Sequence, residues 1–252
     1  MAKGASIRFQ SYSSTLPRLL DILKLDRELK KYDKIVIKPF LDIDEDRAAS
    51  REFIEPLIKF CLVHKNPVTE LFIAEGADGS DTTELFETHH YKKLAEQYSI
   101  GLIDLNDAET EPIGNNNFLK FSEIHYPKLL KESFVITAAK LADHPETGIA
   151  GTLSTMLSAF PADHYSGFFT KKKIKIRKWP IKYAIHDINL CKMPDFAVVD
   201  ASSKGVILAG LPLEIDKQSA KLLGYDWKTI DYLRLLHETL LSEEQADNNK
   251  TA

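Results

Sequence analysis

Lys34-Ile-Val-Ile-Lys38-Pro39 is the stretch on which the fold turns. Three β-branched residues in a row, bracketed by lysines, describe a strand buried on both faces. Pro39 closes it, because proline cannot donate to a sheet ladder. Working outward, residues 5–10 read as an earlier strand. Between the two, Leu16, Leu19, Leu20 and Leu23 recur at helical spacing in a segment ending near residue 30. Downstream, a helix over residues 49–64 leads to a third apolar run, Leu71-Phe-Ile-Ala-Glu75. Short β-branched runs alternating with helical periods are the signal of βαβ units.

The same alternation continues to the end of the chain. A helix capped near Asp81 closes at Tyr98, a strand covers residues 100–105, and the polar residues 106–117 form an exposed connection. Strands follow at 134–140, 196–200 and 206–209, then helices at 214–223 and 227–241. The expectation is an α/β fold, a mostly parallel mixed sheet of about seven strands flanked by helices. Residues 1–241 form one domain, with any subdivision near 106–134, and residues 242–252 form a disordered tail.

Composition bounds the function classes. The 252 residues carry a formal net charge of -4, with 44% hydrophobic and 28% charged residues, which excludes whole-chain disorder and bulk attraction to phosphate backbones. Two cysteines, Cys61 and Cys191, are too few for a disulfide framework or a four-cysteine cluster within one chain. No apolar run reaches membrane-spanning length. A cytoplasmic chain without membrane contact is expected; oligomeric state is left open.

In an open α/β sheet, ligands lie outside the carboxyl ends of the strands. Lys38, Glu75, Asp104, Lys140 and Asp200 each terminate an apolar run, and together they would form a rim able to bind an anion, hold a hard cation or move protons. The competing reading is that any strand needs a polar residue where it leaves the core. Asp143-His144-Pro145 places an imidazole beside Lys140 at a strand exit, so His144 and Lys140 are the candidate catalytic pair. Gly151 and Thr152 would add free N–H groups at a helix start, or simply make an ordinary cap. With Lys38, Glu75 and Asp200 they complete the candidate ligand-binding set. No His-Glu-x-x-His, Cys-x-x-Cys, P-loop or dinucleotide signature occurs, so metal and cofactor are unassigned.

One charge anomaly stands apart. Lys171-Lys-Lys-Ile-Lys-Ile-Arg-Lys178 reads as an edge strand with Ile174 and Ile176 on one side and lysines protecting the other. The alternative is a nucleic-acid or protein-binding surface, in which case the chain need not be an enzyme.

The order of these blocks resembles the prokaryotic family catalogued as "domain of unknown function 362". The resemblance runs from Ile35-Val-Ile-Lys38-Pro39 through Ile73-Ala-Glu75-Gly76 and Leu102-Ile-Asp104 to Val135-Ile-Thr-Ala-Ala-Lys140-Leu-Ala-Asp-His144. Phe196-Ala-Val-Val-Asp200 and Ala209-Gly-Leu-Pro-Leu-Glu-Ile-Asp216 continue it. It implies a cytoplasmic α/β protein. Some relatives carry ferredoxin-like cysteine motifs in an added segment; that pattern has no counterpart here, so no iron-sulfur cluster is expected. The chain departs from the family at Phe40, where asparagine is usual, and at Ser154-Thr155, where a lysine-asparagine pair is usual. The expectation is a small anionic metabolite, with or without a divalent metal, bound at the strand ends, with proton transfer as the chemistry.

Overall fold

The computed structural model describes residues 3–251, with side chains through residue 246. Strand β1 (Gly4–Arg8) is followed by helices α1 (Tyr12–Ile22) and α2 (Leu25–Leu29). The helical segment expected there breaks at Lys24, whose φ of 58° lies in the left-handed region that no helix interior adopts. Strand β2 (Lys34–Pro39), helix α3 (Arg51–His64) and strand β3 (Glu70–Glu75) come next. Helices α4 (Thr82–Thr88) and α5 (Tyr91–Tyr98), split at His90 with φ 61°, precede β4 (Gly101–Asp104). The exposed connection expected over 106–117 contains β5 (Thr110–Ile113), which pairs with β6 (Ile124–Pro127) in a separate hairpin.

Helix α6 (Lys128–Glu132) leads into β7 (Phe134–Lys140), and β8 (Asp143–His144) with β9 (Gly148–Ile149) forms a small hairpin beyond it. A 3-10 turn over Ser154–Ala159, α7 (Ala162–Tyr165) and α8 (Ile181–Cys191) follow. The chain ends with β10 (Phe196–Ala201), β11 (Val206–Gly210), α9 (Pro212–Leu222) and α10 (Asp231–Thr251). Helix α10 runs on through the residues read as a tail. No glycine or proline interrupts them, and Glu, Gln and Ala favour helix; Ala252 lies outside the described residues.

The seven-stranded sheet has the order β1-β11-β10-β7-β2-β3-β4. Pairing is parallel from β10 through β4, and β11 is antiparallel to both of its neighbours. The sheet is therefore mostly parallel and mixed. Leu16, Leu20, Phe53, Ile54 and Leu57 cover one face together with Ile35, Ile37 and Ile136. Leu153, Met156, Ile185 and Leu233 cover the other together with Val36 and Val135.

From β2 the chain steps outward to β3 and β4, whereas β7 and β10 lie on its other side. Helix α3, which follows β2, packs on the first face, and the 154–159 turn and α8, which follow β7, pack on the second. Connections that leave neighbouring strands toward opposite faces open a crevice at their carboxyl ends.

Candidate functional site

That crevice is a cleft of about 240 Å³. Phe40 to Ile43 after β2, Glu75 to Asp78 after β3, and His144, Glu146 and Thr147 beyond β7 line it, and Ser154, Thr155, Ser158 and Arg177 complete the wall.

Beneath the cleft lies a buried ion pair. Lys38 is 0% exposed and Glu75 2%, with Nζ to Oε2 at 3.1 Å. Lys38 also donates to the Thr155 carbonyl at 2.7 Å and to Ser158 Oγ, so all three ammonium hydrogens are used. Burial pulls its pKa down and Glu75 opposes that shift. Glu75 accepts one further bond, from its neighbour Gly76 N–H at 3.0 Å. A carboxylate offers about four acceptor positions, so roughly half of this one's capacity is unused, and the residue lines the cleft.

His144 reaches the cleft from β8. Its Nδ1 accepts from Glu146 N–H at 3.3 Å and Thr147 N–H at 3.2 Å. Burial lowers its pKa, with Glu146 opposing and Arg47 assisting.

The basic stretch enters the same site, and the edge-strand expectation is corrected. Residues 171–178 form a loop and a 3-10 turn over Ile174–Arg177. Lys173 and Ile176, three residues apart, point inward, whereas Ile174 is 49% exposed, so the two-residue alternation of a strand fails. Lys173 is fully buried and donates to the carbonyls of Gly76 at 2.8 Å and Ser158 at 2.9 Å. Burial brings its pKa down to about 8, with Glu75 and Asp78 opposing. Arg177 contacts Asp78 at 2.7 Å and grips Glu146 through two bonds of 3.1 and 3.2 Å. Lys171 pairs with Asp81 at 3.0 Å. The stretch is thus a strap across the loop after β3, and four of its cations, Lys171, Lys173, Lys175 and Arg177, are engaged by groups of the same chain.

The structure separates the remaining rim residues. Lys140 and Asp200 are register partners on β7 and β10. By strand alternation they share the face of Ile136 and Val198, whereas Lys38 shares the face of Val36. Asp200 accepts from Tyr12 OH at 2.7 Å on that first face. The Thr152 N–H, read as either an anion donor or part of an ordinary cap, donates to Asp216 at 2.7 Å, and the Leu153 N–H donates to the same carboxylate at 2.9 Å. Gly151 packs against the same carboxylate, where a Cβ would stand 2.5 Å from Oδ2. Asp104 lines a separate hollow with Asp107 and Asp163. Among the described residues, no group of three or more His, Cys, Asp or Glu side chains could hold a metal ion.

Sequence reasoning missed Ser158, Asp42, Asp78, Glu146 and Arg177 as cleft residues. The signals that pointed toward any of them were the charge anomaly at 171–178 and the acidic run Asp42-Ile-Asp-Glu-Asp46, which reads as a solvated loop.

Residues 35–206 match the family described as Domain of unknown function (DUF362), and the chain belongs to that family. Among solved structures, the lactate racemase apoprotein from Thermoanaerobacterium thermosaccharolyticum superposes with a TM-score of 0.58 at 15% identity. The match covers 87% of this chain and 56% of that one, so the chain spans about half the length of that protein, and the likeness is one of fold. No curated protein matches. No helix among the described residues is long and apolar enough to cross a membrane.

Proposed function

We propose that this cytoplasmic prokaryotic chain binds a small anionic metabolite in the cleft at the carboxyl ends of β2 and β3, and that Glu75 exchanges a proton with it. The observation that carries this reading is the Lys38–Glu75 pair. A buried ion pair is seldom a source of net stability, and this one keeps free acceptor capacity on a cleft wall, where a poised carboxylate can act as a general base. Lys38 holds Glu75 in place. Arg177, at the rim, offers a planar fork for a ligand carboxylate in exchange for part of its grip on Glu146. Thr152 donates to Asp216 and Gly151 packs against it rather than against a ligand, and Lys140 and Asp200 stand outside the machinery. The fold neighbour is a lactate racemase apoprotein, which makes a small 2-hydroxy acid the first probe.

The test is thermal unfolding of the wild type, Glu75→Gln and Arg177→Met in D-lactate, L-lactate or inorganic phosphate. A probe at a hundred times its dissociation constant adds about 2.7 kcal/mol of stability. A midpoint rise in the wild type that Arg177→Met abolishes is expected. Incorporation of solvent deuterium at C2 of lactate, with the C2 proton taken by Glu75 and replaced from solvent, is expected in the wild type and lost in Glu75→Gln. No shift with any probe, or equal shifts in all three proteins, overturns the reading.

A further inference from the structure

The hairpin carrying His144 is built around its imidazole. Pro145 has no N–H to offer, so the first two free backbone donors after His144 belong to Glu146 and Thr147, and both point at Nδ1. The side chain thereby closes the turn as an aspartate or asparagine would in an Asx turn. The turn itself is held firmly. Arg177 grips the Glu146 carboxylate through two bonds, Thr147 Oγ1 donates to the Ile149 carbonyl at 2.8 Å, and Gly148 takes the reversal with φ 83°.

A ring nitrogen that accepts from two N–H groups carries no proton. In a neutral imidazole the hydrogen then resides on the other nitrogen. Protonating Nδ1 would set a third hydrogen against two donors and break both bonds. We propose that His144 acts in the cleft as a neutral hydrogen-bond donor through Nε2–H, its tautomer set by the backbone of residues 146 and 147. It is therefore not the acid or base of the site. Nε2 already holds its hydrogen and Nδ1 is closed off, so proton exchange falls to Glu75.

The charged surroundings agree. Burial is the main influence against the imidazolium, with Arg47 and Arg177 acting in the same direction and Glu146 and Asp42 against them. The consequence, which rests on the cleft being a binding site, is a ligand class. The group facing His144 is an acceptor oxygen of a carboxylate, carbonyl or phosphate. Such an arrangement polarises an oxygen without delivering a full charge.

The imidazole 15N spectrum of the labelled protein, followed from pH 8 to pH 5.5, tests the assignment without any ligand. Nδ1 is expected bare and Nε2 protonated, with a titration midpoint below the ordinary 6.5 of an imidazole. A proton on Nδ1 at pH 8, or a midpoint at or above 6.5, overturns the proposal. Two variants test the donor with L-lactate as probe. His144→Asn keeps an acceptor oxygen for the turn and has no donor at the Nε2 position; His144→Gln places an amide N–H there. Asn is expected to fold with an unchanged midpoint and bind about tenfold more weakly, and Gln to bind within about threefold of wild type. Binding by the Asn variant equal to wild type also overturns it. If L-lactate fails to bind the wild type, the functional reading loses its probe while the imidazole spectrum still decides the tautomer.

Discussion

Asp187 and Glu75 are both buried carboxylates, and they are used in opposite ways. Asp187 accepts Leu119 N–H at 2.8 Å, Lys120 N–H at 2.9 Å, Phe121 N–H at 3.1 Å and His186 Nδ1–H at 2.7 Å. Every acceptor position is taken. His186 passes the contact on to Thr239 in α10 at 2.9 Å, so the group ties a loop, α8 and the last helix together. Glu75 has two donors and faces a cleft. A carboxylate with its capacity exhausted by backbone is architecture, and one with capacity to spare on a cavity wall is available for chemistry.

The largest effect should come from removing the saturated group. Asp187→Ala leaves three backbone donors without a partner, at about 1–3 kcal/mol each, so urea unfolding should show a loss of about 4 kcal/mol or more. A loss under about 1 kcal/mol would break the comparison. Next comes the cleft pair. Lys38→Met leaves Glu75 buried and unpaired, at about 3–5 kcal/mol. The double variant Lys38→Met with Glu75→Leu should recover most of that stability while losing probe binding. If the double variant is no better than the single one, the pair is architectural as well.

Asp216 is the intermediate case, saturated like Asp187 yet pushed up to about 6 by burial. Its folded value lies above the unfolded one, so the folded state holds the proton more tightly. Stability from this group is fully present below about pH 4 and is lost as pH rises through 6. Relative to Asp216→Asn, the wild type should gain about 1 kcal/mol between pH 7 and pH 5, measured by urea unfolding at both. The smallest effect is expected at Phe168 and Phe169, which are 94% and 95% exposed. Replacing both by serine should change stability by less than about 0.5 kcal/mol and leave the cleft unaltered. A larger change in probe binding would show that the tip of the strap closes over the site.

Much was legible in the sequence because it depends on local pattern. The strands ending at Lys38, Glu75, Lys140 and Asp200 follow from β-branched runs with polar ends, and the mostly parallel mixed sheet follows from their alternation with helical periods. The ends of helices were less legible. Lys24 and His90 turn left-handed without a glycine to announce them. Of the candidate site residues, Glu75 and His144 line one cleft and Lys38 pairs with Glu75 beneath it, whereas Lys140, Asp200, Gly151 and Thr152 do not line it.

What the sequence alone determined is therefore the set of strands and the polar residues at their ends, because hydrophobic periodicity acts over a few residues. The tertiary structure decided which of those residues meet. Neighbours along a rim point to opposite faces of the sheet, so Lys38 and Lys140 part company although both end a strand. It also folded the basic stretch over the loop after β3, since Lys173 finds its carbonyl partners 97 and 15 residues away. No local pattern encodes contacts at that separation; only the packed chain does.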